Sequence, residues 1–271
     1  MTVLFLCGCN SQNKQKELTK VLVYDYSDSI PSAKHEVEYK FGDPRKYETQ
    51  EVKQKVEVMV GGKRCSGTYQ STQYNGYNYF PTYQYLDFDG NDFQIDDRGL
   101  LVSYFWGSSS EKTEELSQEE CLQVAKDFFD DIVDINQYTI TIDQEDHPKR
   151  YVVTFTKYVD GLATTDSATV DVQCNGQLYS YFSFMLGRIP SDLSVKGINT
   201  EDIEAQVYRK MDQIYEEAKK VYSRVEYGKP EMRLTVLKDG NIGMVCWLDV
   251  DCINTSGWII GERIVVVVVS D

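Results

Sequence analysis

Histidine is almost absent from this chain of 271 residues: there are two, His35 and His147, 112 positions apart (147 minus 35). A Ser/His/Asp or Cys/His constellation thus has very few ways to assemble, and neither G-x-S-x-G nor H-E-x-x-H occurs. Positive charge is scarce as well. The 28 Lys and Arg face 43 Asp and Glu, a formal net charge of -15, which opposes the phosphate neutralisation that nucleic-acid binding requires and removes nucleic acid from the expected partners. The seven cysteines, at positions 7, 9, 65, 121, 174, 246 and 252, form no C-x-x-C pair and have no histidine at ligand spacing, so zinc and dithiol chemistry have no basis. No glycine loop suited to phosphate opens either expected helix; both begin with acids, which repel phosphate. No cofactor is expected. No stretch reaches the ~20 apolar residues of a membrane-spanning helix.

What the chain does have is sheet-forming repetition. Twenty tyrosines and 13% aromatic residues suit half-buried strands and wet interfaces. Val170-Asp-Val-Gln-Cys-Asn-Gly-Gln-Leu-Tyr-Ser-Tyr-Phe182 reads as two strands around a turn, and Phe93 to Phe105 repeats it at an offset of 77 (170 minus 93). Both copies carry a glycine turn, Gly99 or Gly176, and end in Ser-Tyr-Phe. A fainter echo lies at Leu248-Asp-Val-Asp-Cys252. Repetition of this kind marks a repeated structural unit.

The N-terminal residues follow a different pattern. The apolar run to Leu6-Cys7-Gly8-Cys9 stops at Asn10-Ser-Gln, and it resembles the lipobox of bacterial lipoproteins, in which small residues precede the cysteine that carries the lipid. Cys9 matches that position. Only the end of the apolar core of ~7–15 residues in a secretory signal is present, so residues 1–9 read as a signal remnant and residues 10–20 as a polar tether; the plainer alternative is a short buried N-terminal strand. The resemblance implies a membrane partner, reached through an N-terminal lipid, and a place on the extracytoplasmic face of the bacterial cell envelope.

Residues 21–108 read as a β-rich domain. Strands are expected at 21–26, 34–40, 53–60 and 64–69, with a hairpin signal at Gly61-Gly62, and again at 83–88, 93–95 and 100–106. The polar run from Gly107 to Glu115 reads as a domain boundary. Ser117-Gln-Glu-Glu120 is a capping box, and Cys121, Ala125, Phe128, Phe129 and Ile132 follow at helical spacing. Asn199-Thr-Glu-Asp202 caps a second helix with Ile203, Val207, Met211, Ile214, Ala218 and Val221 as its stripe. A shift of 82 lays Ile203 on Cys121 (203 minus 121), Val207 on Ala125 and Met211 on Phe129. Strands follow each helix, and the order helix, strand, strand, strand occurs twice, in residues 117–186 and 199–271. Ile264 to Val269 is apolar throughout and needs cover on both faces. The expected class is α+β: antiparallel sheets each covered by one helix, in two related units behind the β-rich region.

A capped helix, a strand ending in Asp160-Gly161, and the hairpin Val170-Asp-Val to Gly176-x-Leu-x-Ser-Tyr181 together resemble PepSY-type propeptide domains and related tandem-repeat proteins of bacterial cell surfaces. The resemblance covers Ser117 to Phe184 best, Asn199 to Val269 less well, and of the first part only Phe93 to Phe105. It implies a helix-on-sheet fold and a role in binding or restraining peptidases outside the membrane, with no catalytic residues.

Two stretches offer ligand chemistry. The segment from Tyr69 to Tyr85 sets Tyr74, Tyr77, Tyr79, Phe80 and Tyr83 beside Asn and Gly, a composition that suits a peptide or glycan surface and equally suits a loop folded over a sheet. Asp87, Asp89 and Asp92, with Asp96 and Asp97 nearby, could gather around Ca²⁺, though Gly90 stands fourth where an EF-hand loop has its glycine sixth; a hairpin turn is the plainer reading. The expected function is a non-enzymatic, lipid-anchored extracytoplasmic binding protein whose partner is a protein, such as a peptidase, or a wall glycan. The alternative is an envelope hydrolase using carboxylates in a cleft between domains. A spacer would show neither a converging acid pair nor an exposed aromatic patch.

Overall fold

Period-two alternation carries most of the chain into strands. The computed structural model describes residues 17–40, 51–73, 81–87, 89–106, 115–146, 149–237 and 239–270. Strands β1 (Leu18–Tyr26), β2 (Lys55–Val60), β3 (Lys63–Gln73), β4 (Thr82–Asp87), β5 (Asp92–Asp96) and β6 (Leu101–Phe105) precede helix α1 (Gln118–Asp130). Next come β7 (Tyr138–Asp146), β8 (Lys149–Val159), β9 (Leu162–Gln173) and β10 (Leu178–Phe184), then α2 (Thr200–Ile214) and the short α3 (Ala218–Val221). The chain ends with β11 (Arg224–Tyr227), β12 (Glu231–Val236), β13 (Ile242–Ile253) and β14 (Ile259–Ser270).

These strands form one 14-stranded sheet in the order β1-β14-β13-β12-β9-β10-β6-β5-β4-β3-β2, with β8 on the other edge of β9, β7 outside β8, and β11 beside β12 on β13. The α+β expectation of separate antiparallel sheets, each under its own helix, is therefore corrected: the chain is mostly β and its single large sheet is mixed. The physical reason lies in β9. It is 12 residues long, and β10 pairs with it only between Val172 and Ser167. The remaining edge would expose unpaired backbone, and β12 takes it in parallel, with Leu234 opposite Thr164.

The sequence echo has a geometric meaning. β6 and β10 pair antiparallel with Tyr104 opposite Tyr181, Ser103 opposite Phe182 and Phe105 opposite Ser180. The two Ser-Tyr-Phe copies thus face each other across a local two-fold axis. Both tyrosines turn into the core, at 3% and 1% exposure, and the serines and phenylalanines point to the opposite face, as strand alternation requires.

Both helices cover the same side of the sheet. Ser117 caps α1 through a complete capping box, and Cys121, Ala125, Phe128 and Phe129 bury against Val153, Phe155, Ala168 and Val170. On α2, capped by Asn199, Ile203, Val207, Met211 and Ile214 bury against Cys246, Leu248, Val250 and Val266. Leu234 belongs to the α2 core, and its partner Thr164 shares the parity of Ala168 and Val170 on β9, so one face runs through the junction. β14 is covered on both sides, Ile264, Val266 and Val268 by α2 and Val265 and Val267 by Tyr24, Tyr39, Met185 and Leu237.

Smaller departures have local causes. Residues 34–40 form no strand: Glu38 and Tyr39 both donate their N–H to the Val23 carbonyl, a pattern no ladder has. β1 starts at Leu18, inside the expected tether. The second apolar stripe breaks at Tyr215, so Ala218 stays buried while Val221 is 68% exposed. β11 was not expected from sequence, since four residues are too few for alternation to register.

Candidate functional site

With both helices on one side, the other face of the sheet is left to the side chains of β8, β9, β10, β12 and β13. Where β12 leaves β9, that face folds into a groove of about 440 Å³, a size in the range of small-ligand sites. Its floor is a set of hydroxyls: Thr154 and Thr169 are cross-strand partners, and Thr165 donates to Thr235 at 3.0 Å. Trp247, Phe184 and Tyr24 form apolar walls. Arg233 donates to Ser167 Oγ at 3.1 Å and to Glu231 Oε1 through Nε and Nη2 at 3.0 and 2.8 Å. Arg263 also lines the groove; among the described residues its guanidinium has no hydrogen-bond or ion-pair partner, although Asp249 lies across the strand. Continuous with Phe184 is Phe182, whose ring meets it edge-on at 4.6 Å, and Phe105 stands beyond against Tyr179 at 5.2 Å. Phe105 and Phe182 are 48% and 38% exposed, which makes the helix-free face an aromatic patch as well as a groove.

Several of the described groups capable of chemistry are held in structural roles. Among the described residues Glu231 is the one carboxylate lining the groove, and Arg233 engages it, so no acid pair of the kind hydrolysis needs is assembled from them there. The five described cysteines are free thiols. Burial pushes Cys246 up to about 12 and Cys252 up to about 11, far from a reactive thiolate. His35 joins a buried cluster instead of a strand: Glu262 accepts from His35 Nε2 at 2.5 Å, from the Tyr215 hydroxyl, and from the N–H groups of Ser29 and Ile30 at 3.0 and 3.1 Å. Tyr26 stacks on the imidazole at 4.3 Å. Burial, then the Glu262 carboxylate, raises the Tyr215 phenol. The sequence signal for this cluster was Glu262 itself, a charge on the helix side of a strand that is otherwise apolar there.

The connection out of β10 is pinned by a second buried carboxylate. Asp166 accepts from the Tyr138 hydroxyl at 2.7 Å and the Gly187 N–H at 3.0 Å, with Lys157 Nζ at 3.8 Å reaching on to the Ile189 carbonyl at 3.0 Å. Burial raises the Asp166 carboxyl above its ordinary 3.8. Between the two values the native state holds a proton that the unfolded chain has released, so the contribution of Asp166 to stability is greatest below 3.8 and is lost as pH rises through the raised folded value. In urea titrations between about pH 4 and 7, Asp166→Asn is expected to remove that part of the pH slope; an unchanged slope contradicts the assignment.

The residues singled out in the sequence are dispersed. Cys9, Tyr74, Tyr77, Tyr79, Phe80 and His147 lie outside the described residues. Tyr83 sits half-buried in β4 opposite Ile95. Asp87 caps the β4–β5 turn, accepting from the N–H groups of Asp89 and Asn91 and from the Tyr104 hydroxyl at 2.7 Å, while Asp89 and Asp92 are exposed. Among the described residues no three His, Cys, Asp or Glu side chains gather as for a metal ion. Sequence reasoning missed the groove residues, because Thr165 and Ser167 on β9, Arg233 on β12 and Trp247 on β13 come from three strands that no spacing in the sequence links.

A family model described as the YcdB, YcdC repeated domain matches residues 89–183, the span from the β4–β5 turn through α1 to β10. The chain therefore contains a stretch similar to a domain that occurs as a repeat. No curated protein matches. Among solved structures, MucB in complex with MucA(peri) is 11% identical, with 78% of this chain and 84% of that chain covered, at a TM-score of 0.12. The Pseudomonas aeruginosa MucA/MucB complex is 10% identical, with 78% and 85% covered, at 0.11. Chain paths that superpose this poorly have no shared fold to transfer. Among the described residues no helix is long and apolar enough to cross a membrane.

Proposed function

We propose that this chain is a non-enzymatic, lipid-anchored binding protein of the extracytoplasmic face of the cell envelope, and that its binding surface is the helix-free face of the sheet. The observation that carries this reading is the groove at the β9–β12 junction, with the exposed Phe105 and Phe182 beside it. A spacer has no reason to keep such a surface in water, and a hydrolase needs converging acids that the groove lining does not supply. The lipobox-like Leu6-Cys7-Gly8-Cys9 supports lipidation at Cys9 and hence the location. The PepSY-type resemblance supports a partner outside the membrane, and the match of residues 89–183 to a domain that occurs as a repeat agrees with the internal sequence repetition.

A photo-crosslinking side chain at Thr169, on the groove floor, is expected to give adducts in cells that make the protein. The same side chain at Lys126, on α1, is expected to give none. Equal adducts from both positions, or adducts from Lys126 alone, contradict the proposed surface.

A further inference from the structure

The chemistry lining the groove narrows what can sit in it. We infer that the ligand is a carboxylate-bearing oligosaccharide, an inference that rests on the groove being the binding surface. An extended peptide is most cheaply held by an open strand edge, where main-chain groups pair as in a sheet. Most of the floor offers no such edge: β8 is bonded on both sides by β7 and β9, β9 at Ser167 to Val172 by β8 and β10, and β13 by β12 and β14. On β12, which pairs with β9 through Leu234, the stretch from Glu231 to Arg233 is three residues long and is crossed by the Arg233–Ser167 hydrogen bond. What remains are side-chain hydroxyls and ring faces.

Hydroxyls both donate and accept, and Thr154, Thr165, Ser167 and Thr169 set several of them on one floor. That matches a ligand whose own polar groups are hydroxyls in fixed positions around a ring. Trp247 supplies the flat apolar wall against which the C–H face of a sugar ring stacks. Charge decides the rest. Among the described residues the lining holds Arg233 and Arg263 against Glu231 alone, an excess of one positive charge in a chain of net charge -15. Arg233 is engaged by Glu231, whereas the Arg263 fork has no partner among the described residues, and a planar guanidinium at the rim is the group that grips a carboxylate with two parallel hydrogen bonds. Aromatic wall, hydroxyl floor and unpartnered arginine point to a uronic acid or similar acidic sugar within a short glycan.

Titration calorimetry of the full chain with trigalacturonate, with a neutral trisaccharide of the same length and with triglutamate tests this. Trigalacturonate is expected to bind about tenfold or more tighter than the neutral sugar, and Arg263→Gln, an exposed and structurally mild change, to abolish that advantage. Thr169→Val is expected to weaken both sugars several-fold while leaving triglutamate unaffected. Tighter binding of triglutamate than of either sugar overturns the inference while leaving the groove as binding surface. Absence of binding by both sugars also overturns it, and the adducts at Thr169 then judge the surface independently. Sugar binding that ignores Arg263→Gln removes the carboxylate from the inference.

Discussion

Glu262→Ala is expected to destabilise the protein by about 4 kcal/mol, the cost of breaking a buried charged network at its centre. One carboxylate satisfies the His35 ring, the Tyr215 hydroxyl and two backbone N–H groups, and its side chain is fully shielded from water, with His35 at 3% exposure. Its removal takes the acceptor from four donors; the His35 ring and the Tyr215 hydroxyl keep each other at 3.3 Å, but the Ser29 and Ile30 N–H groups are left without one, and each buried orphan costs about 1–3 kcal/mol before relaxation. The effect reaches beyond the cluster, because Ser29 and Ile30 lie on the segment that leaves β1 and crosses to α2, where Lys34 N–H meets the Ile214 carbonyl at 3.0 Å. Urea denaturation measures the loss, and limited proteolysis is expected to open first between Ser27 and His35. Glu262→Gln, which keeps the shape and one acceptor oxygen, is expected to lose less. Similar losses for Ala and Gln contradict the acceptor role.

The second large effect is Phe129→Ala, expected to cost about 3–5 kcal/mol. Phe129 is wholly buried, stacks on Phe155 at 4.1 Å and takes the edge of Tyr138 at 5.1 Å. Tyr138 also holds Asp166, so the cavity lies beside the buried carboxylate and the connection it pins. The corresponding residue of α2, Met211, is equally buried, and Met211→Ala is expected to cost about 2–5 kcal/mol. Because β9 and β12 belong to one sheet, each substitution is expected to shift a single unfolding transition followed by fluorescence and circular dichroism together. Two separate transitions, each moved by one substitution alone, contradict a shared sheet.

The helices and their inner faces were legible because two local signals agree. Ser117 to Glu120 and Asn199 to Asp202 mark the starts, and apolar spacing of three and four marks the buried side. The turns at Gly99, Gly161 and Gly176 were legible for a backbone reason, positive φ at each. The number of sheets was not legible. A single pairing, Leu234 with Thr164, merges what alternation alone presents as separate layers. The repeat was visible as an offset of 77, but not that its copies would lie against each other, which depends on β6 and β10 both lacking a second neighbour until they meet. The groove was the least legible feature. It depends on Arg233 crossing from β12 to Ser167 on β9, 66 positions earlier in the chain.

The most direct test of a helix-free binding face needs no knowledge of the ligand. Hydroxyl-radical footprinting of the protein in its native envelope is compared with footprinting of the purified chain. Trp247, Phe182 and Phe184 are expected to be labelled when pure and protected in place, while Trp258, 75% exposed at the β13–β14 turn, is labelled equally in both. Protection confined to Trp258 and Val221, with Trp247 unchanged, would contradict the claim and move the binding surface to the far end of the sheet.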